Sequence, residues 1–294
     1  LCYLVGVYDL NQQLSNEIAD SYGVKSFSSL EDLMEEVDAI NIATPTTTHY
    51  DIAMKAIDND LHILLEKPIT NTIEEAEEIL QAARDKNLTV QVGHIERFNP
   101  AIQALPDILQ GEEIIAIDVK RMGPYDPRID DTDVIQDLMI HDIDVVSSIS
   151  PTSVEGVSAF GSIIKSKKHI DYAVANMIMH NGIIATLTAS RVTNRKVRKL
   201  TVITHESYIE LDYMQKKIVL TNKSAFKDSG FSKESELEEV FDKSEEPLKM
   251  QLSHFVNSVE NDTRPLISGS DGLEALKLTK TIQNQVYSNI HNQE

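Results

Sequence analysis

Short apolar strands that alternate with helical segments constrain this chain more than anything else in it. Val5 to Asp9, Ala39 to Thr44 and the run ending in Leu64-Leu65-Glu66-Lys67-Pro68 are three such strands, each followed by a segment with helical spacing. Strands that are apolar along their whole length are buried on both faces, and parallel neighbours are joined by crossover helices. The pattern predicts a parallel sheet with helices on both faces. Ligands of such sheets bind beyond the carboxyl ends of the strands, where Asp9, Thr44, Glu66 and Lys67 fall. Lys67 follows an acid at that rim, and Pro68 restricts the backbone beside it.

Local signals fill in the helices. Asn11 is placed to cap a helix carrying Leu14, Ile18, Ala19 and Tyr22 on one side, with Gly23 at its C′ position. Ser28 and Glu31 have capping-box spacing, which predicts a short helix through Leu33 and Met34. Thr72 and Glu75 repeat that spacing before Ile73, Ala76, Ile79, Leu80 and Ala83. Pro45 stops the second strand, and His49 begins a helix to about Asp58. Leu88 to Gly93 is the last strand of the series. Beyond His94 the texture changes to long alternating segments between Ile114 and Leu220, with Asn181-Gly182 a hairpin signal between two of them. Helices from Arg97 to Leu109, from Asp133 to Ser148, and two more near the end accompany these strands, while Lys223 to Glu246 reads as a polar loop or lid.

A chain of 294 residues suits two domains. The expected division is a parallel α/β domain over residues 1–98 and an α+β domain with a mostly antiparallel open sheet over 99–294. Lys+Arg 27 against Asp+Glu 47 gives a net charge of −20, which argues against a nucleic-acid partner. With no apolar run approaching 18 residues, no membrane partner is expected. The lone Cys2 makes no internal disulfide, and the chain opens inside a strand rather than in a signal peptide, so the expected compartment is the cytoplasm.

A parallel sheet that holds a dinucleotide needs a glycine turn where backbone amides meet the pyrophosphate. None of the 11 glycines forms G-x-G-x-x-G, and Gly269 and Gly272 are explained by a turn and a helix start. Val5 to Asp9 has the character of a second strand, so about one βα unit is expected in front of it. Asp137 and His141 stand four apart on an expected helix and share a face, giving a histidine that titrates near neutrality beside a carboxylate that can orient it. The same spacing also suits an ordinary helical ion pair. His141, Asp142 and Asp144 point in different directions and do not make a metal site. His94, Glu96, Arg97 and Asn99 cluster after a strand end, where capping and ligand contact are both open. A nucleophilic serine in G-x-S-x-G is absent.

The stretches LVGVYD (4–9), IATPTTTHYDIA (42–53), LLEKP (64–68), VGHIERFNP (92–100) and DLMIHDID (137–144) together resemble the Gfo/Idh/MocA family of nicotinamide-dependent sugar oxidoreductases. GHIERFNP with DLMIHDID is most similar to its nucleotide-sugar branch, including enzymes that oxidise UDP-N-acetylglucosamine at C3. The resemblance implies a Rossmann domain followed by an α+β domain whose open sheet joins subunits into a homodimer or homotetramer. It implies a nucleotide-sugar, sugar or polyol substrate and NAD in preference to NADP. Catalytic roles fall on Lys67, Asp137 and His141. Thr44, Pro45, His49 and Glu66 line the cofactor, and Arg97 and Asn99 meet the nicotinamide end or the substrate. Asp9 accepts the adenosine ribose hydroxyls and repels a 2′-phosphate, and Arg121 and Arg128 are candidates for a sugar-diphosphate contact. A second reading, of another class, is a sensor or scaffold that binds a sugar or dinucleotide without turnover.

Overall fold

The computed structural model describes residues 2–127, 129, 132–150, 152–222, 236–241 and 246–292. The chain divides into two compact units, one of residues 1–94 with 251–273 and one of residues 95–250 with 274–294. The break therefore falls a few residues before the expected 98/99, and a later stretch returns to the first unit.

In the first unit every strand pair is parallel. β1 (Gly6–Val7) pairs with β2 (Lys25–Ser26), and β3 (Ala39–Ile42), β4 (His62–Leu65) and β5 (Val90–Val92) form a three-stranded sheet. The pair and the trio are separate sheets among the described residues. β2 has no counterpart among the expected strands, because two residues are too few to carry a period.

Local chemistry sets the helix starts. The Asn11 side chain accepts from the Leu14 amide at the head of α1 (Gln12–Tyr22), and Gly23 closes it at φ +66°. α2 (Leu30–Met34) is capped by Ser29, which accepts from the Asp32 amide. The expected cap, Ser28, instead donates to the Asp32 carboxylate. Of the two adjacent serines, the later one puts Asp32 at the third helical position. α3 (His49–Asp58) follows a 3₁₀ turn over Thr46–Thr48, and α4 (Ile73–Asp85) opens with both halves of the Thr72–Glu75 capping box. Gly269 and Gly272 lie in the first turn of α8 (Gly269–His291), which follows α7 (Pro247–Glu260). A Cβ on Gly272 would stand 2.6 Å from Val92 Cγ2, so the glycine lets helix and strand approach closely.

The second unit is built on an eight-stranded sheet. Its strands are β6 (Ile114–Met122), β7 (Val154–Ser162), β8 (Tyr172–Met179), β9 (Ile184–Ser190), β10 (Val197–Thr204), β11 (Ser207–Asp212), β12 (Lys217–Asn222) and β13 (Glu236–Val240), in the order β13-β12-β11-β10-β6-β9-β8-β7. All neighbours are antiparallel except β6 and β9. The fold class is the expected one. Strand β13, however, lies inside the stretch read as a loop or lid; most of that stretch lies outside the described residues. Gly182 at φ +88° turns the chain between β8 and β9, as its Asn-Gly signal implies.

Alternate residues of these strands are buried with Leu105 and Ile102 of α5 (Pro100–Ile108), Ile140, Ile143 and Val146 of α6 (Ile140–Ile149), and Leu278, Ile282 and Val286 of α8. The other face keeps Phe160, Tyr172, Ile178 and Ile184 exposed. The expected helix from Arg97 is in fact a 3₁₀ turn (Ile95–Phe98) followed by α5, with Pro100 in its first turn, where a missing N–H costs nothing. Ahead of α6, residues Ile135–Met139 form a π-helical segment, a widened turn common at functional sites. No helix is long and apolar enough to cross a membrane among the described residues.

Candidate active site

In the first unit the expected rim residues stand at the strand ends. Asp9 is exposed just beyond β1, with its carboxylate accepting from the Asn11 amide at 2.7 Å. Thr44 and Pro45 are exposed beyond β3, and the Thr48 hydroxyl donates to Thr44 Oγ1. Glu66 and Lys67 are half-buried beyond β4, and the Lys67–Pro68 bond is cis. A Cβ on Gly93, just past β5, would lie 2.8 Å from Glu66 Oε2. The bare glycine is what lets the Glu66 carboxylate lie across the end of the neighbouring strand. The Lys67 amide donates to that carboxylate at 3.3 Å.

His49 is buried, and its surroundings are main chain. Its Nδ1 lies 3.0 Å from the Pro68 carbonyl and 3.3 Å from that of Ile69, while Nε2 lies 3.0 Å from the Thr44 carbonyl. The ring thus bridges the loop after β3 to the loop that carries Lys67. Both its nitrogens are engaged there, which corrects the expectation that His49 lines a cofactor. Its work is to hold two rim loops together.

The second unit carries the Asp137–His141 pair. Asp137 falls in the π-helical segment and His141 in the first turn of α6, both half-buried. Asp133 anchors the start of that segment: its Oδ1 accepts from the Ile135 and Gln136 amides and its Oδ2 from the Gln283 amide and the Tyr287 hydroxyl. Immediately after His141, Asp142 is buried against Arg121. Arg121 Nε donates to both Asp142 oxygens at 2.9 Å, Nη2 to Oδ1 at 2.7 Å, and Nη1 to Glu96 Oε1 at 2.7 Å. Its guanidinium also stacks over the Tyr213 ring, 5.2 Å from the centroid. Burial opposes the Arg121 charge, but Asp142 and Glu96 outweigh it and hold the group protonated.

This geometry corrects two further expectations. Arg121 is 1% exposed, so it does not reach a substrate diphosphate; it fixes α6 to β6. Asn99 is also buried. Its side-chain oxygen caps α5 through the Ala101 amide, and its amide nitrogen donates to the Tyr213 carbonyl. Arg97 Nε lies 3.6 Å from Asp144 Oδ2, an ion contact within the same unit. Arg128 lies outside the described residues. The Glu96–Arg121–Asp142 network escaped the sequence reading, yet a signal existed. Ile117, Val119 and Arg121 alternate on the buried face of β6, and a charge in such a stripe demands partners.

A parallel sheet with acids and hydroxyls at its carboxyl rim, and a separate open-sheet unit carrying an acid–histidine pair, define a Rossmann-type dehydrogenase. Residues 2–94 match the oxidoreductase family with an NAD-binding Rossmann fold, and residues 118–210 match the GFO/IDH/MocA C-terminal domain. The UDP-N-acetylglucosamine 3-dehydrogenase of Acidithiobacillus ferrooxidans is 35% identical over 222 residues, covering 76% of this chain and 70% of that protein. A solved structure of that enzyme superposes with a TM-score of 0.89 at 30% identity, covering 97% of this chain and 90% of that one. The NAD-dependent scyllo-inositol 2-dehydrogenase of Bacillus subtilis is 26% identical over 288 residues, covering 91% and 82%. The chain belongs to the Gfo/Idh/MocA oxidoreductase family, and it is an NAD(P)-dependent dehydrogenase. The chemistry of the rim fits the dinucleotide: the exposed Asp9 carboxylate suits ribose hydroxyls, and the exposed Thr44 offers a hydroxyl at the next strand end.

Proposed function

We propose that this protein oxidises a secondary alcohol of a nucleotide sugar, with UDP-N-acetylglucosamine at C3 as the first candidate and NAD as cofactor. The observation that carries this reading is the similarity to the Acidithiobacillus ferrooxidans UDP-N-acetylglucosamine 3-dehydrogenase, whose solved structure matches over 97% of this chain. A bound nicotinamide supplies the hydride acceptor. His141 takes the hydroxyl proton as the carbinol becomes a ketone, and Asp137 orients His141 or a neighbouring hydroxyl. Lys67 positions the sugar and stabilises negative charge developing on the carbinol oxygen. Asp9 and Thr44 hold the dinucleotide, and Asp9 disfavours a 2′-phosphate. A sensor without turnover has no observation in its favour, and the named relatives are dehydrogenases. The exposed apolar face of the large sheet, with Phe160, Tyr172, Ile178 and Ile184, supports pairing with a second copy of the chain in a homodimer or homotetramer.

The test is appearance of the reduced-nicotinamide absorbance band when the protein is mixed with NAD and UDP-N-acetylglucosamine, other UDP-sugars or inositols. The wild type reduces NAD with one of these, and His141→Ala lowers kcat by about 10²–10⁴-fold. Wild-type kcat in His141→Ala would remove the histidine from the proton transfer, and no turnover with any UDP-sugar would overturn the nucleotide-sugar reading.

A further inference from the structure

Two arginines stand side by side in the second unit, and they are used very differently. Arg121 on β6 and Arg198 on β10 are direct partners in the antiparallel register, so their side chains leave the same face of the sheet. Arg121 is engaged on every side by Asp142 and Glu96. Arg198 is not. Its Nη1 lies 3.8 Å from Glu96 Oε1, beyond hydrogen-bond distance, and that oxygen already accepts from Arg121 at 2.7 Å. Among the described residues no acceptor lies within hydrogen-bond distance of the Arg198 guanidinium. The side chain is nonetheless mostly covered, with 29% of its surface open.

An arginine whose N–H donors have no protein acceptor, on a side chain still 29% open, keeps those donors for solvent or a ligand. Burial and the like charge of Arg121 both work against its charge, whereas the carboxylates of Glu96, Asp142 and Asp137 favour it. Glu96, 3.8 Å from this fork, accepts from the same Arg121 that holds Asp142, the residue directly after His141. An anion would supply what the fork lacks, in the planar two-point geometry that guanidinium groups match best. The need is sharpened by the net charge of −20 on the chain, since an anionic substrate approaching such a surface requires a local cation. Arg121 and Arg97 are already paired with Asp142 and Asp144.

We propose that Arg198 is a substrate-binding residue that receives the phosphate or diphosphate arm of the substrate through its guanidinium fork. This rests on the nucleotide-sugar reading above and makes it specific: the enzyme prefers substrates with an anionic arm over neutral cyclic polyols, and Arg198 sets that preference.

The experiment compares the full-length wild type with Arg198→Gln and Arg198→Lys in two measurements. The first is calorimetric titration with UDP, which needs no turnover. The second is the KM for UDP-N-acetylglucosamine and for myo-inositol with NAD. Arg198→Gln weakens UDP binding about tenfold or more, the size expected when a hydrogen-bonded charge contact is removed. Arg198→Lys, a point charge without the fork, falls between it and the wild type. Added salt weakens the wild type more than Arg198→Gln. KM for the UDP-sugar rises at least tenfold more than KM for myo-inositol. Equal UDP affinity in all three proteins overturns the assignment, and so does an equal loss on both substrates, which would mean that Arg198 only neutralises Glu96. UDP binding that depends on Arg198, without NAD reduction by any UDP-sugar, would uphold the anion contact and overturn the nucleotide-sugar oxidation instead.

Discussion

The loop after β4 and the start of α6 carry the expected reactive groups, and the protein holds them by different chemistry. Around Lys67 the restraints are made largely by main chain: the buried His49 ring joins the Thr44 carbonyl to those of Pro68 and Ile69, and bare Gly93 admits the Glu66 carboxylate. Around His141 the restraints are ionic: Arg121, buried, ties Asp142 to Glu96. The difference teaches where each region is vulnerable. A bridge to main-chain carbonyls can lose one bond and keep the rest, whereas a buried ion network that loses one member strands a charge in a low-dielectric interior.

The largest expected effect follows from the ionic side. Arg121→Met should cost about 3–5 kcal/mol of stability in urea unfolding, because Asp142 is left buried and uncompensated. The double variant Arg121→Met/Asp142→Leu should cost less than the sum of the two single variants. A cost below about 1 kcal/mol for Arg121→Met would erase the contrast between the two regions.

His49→Ala is expected to be milder, about 1–3 kcal/mol, the range for leaving buried hydrogen-bonding groups without a partner. It should disturb Lys67 more than His141, so that kcat on the UDP-sugar falls while the pH dependence of kcat/KM keeps its shape. A change in that shape would mean that His49 takes part in the proton transfer rather than in holding the loop.

The smallest effect separates the regions by pH. His62, in the first unit, accepts the Thr89 amide on Nδ1 at 2.9 Å, and burial pushes its pKa below the ordinary histidine value. A lowered histidine pKa means the unfolded chain takes up the proton first, so the stability it contributes is present above about pH 6.5 and fades as pH falls. The gap in urea midpoint between wild type and His62→Asn should therefore narrow on acidification. A constant gap would mean the ring's contribution does not depend on its proton.

The sequence carried the architecture well where periodicity was long or chemistry was local. The Thr72–Glu75 capping box, the Asn181-Gly182 turn and the alternation of the large sheet are all present. It failed where two solutions differ by one residue or depend on a distant partner. Ser28 and Ser29 compete for one cap, and only packing chooses between them. Asn99 and Arg121 are ordinary ligand-type residues by sequence, but their donors go to Tyr213 and Asp142, which lie far away in the chain.

What the amino-acid sequence determined by itself is the family and the parallel-then-antiparallel order of strands, because motifs and periods are properties of neighbours along the chain. What only the tertiary structure decided is which charged and polar groups remain open to a ligand. Arg121 and Arg198 are indistinguishable as letters. The sheet register sets them side by side, and the position of Asp142 on α6 satisfies one and leaves the other with donors facing solvent. Hydrogen-bond satisfaction depends on three-dimensional proximity, which no spacing along the chain encodes.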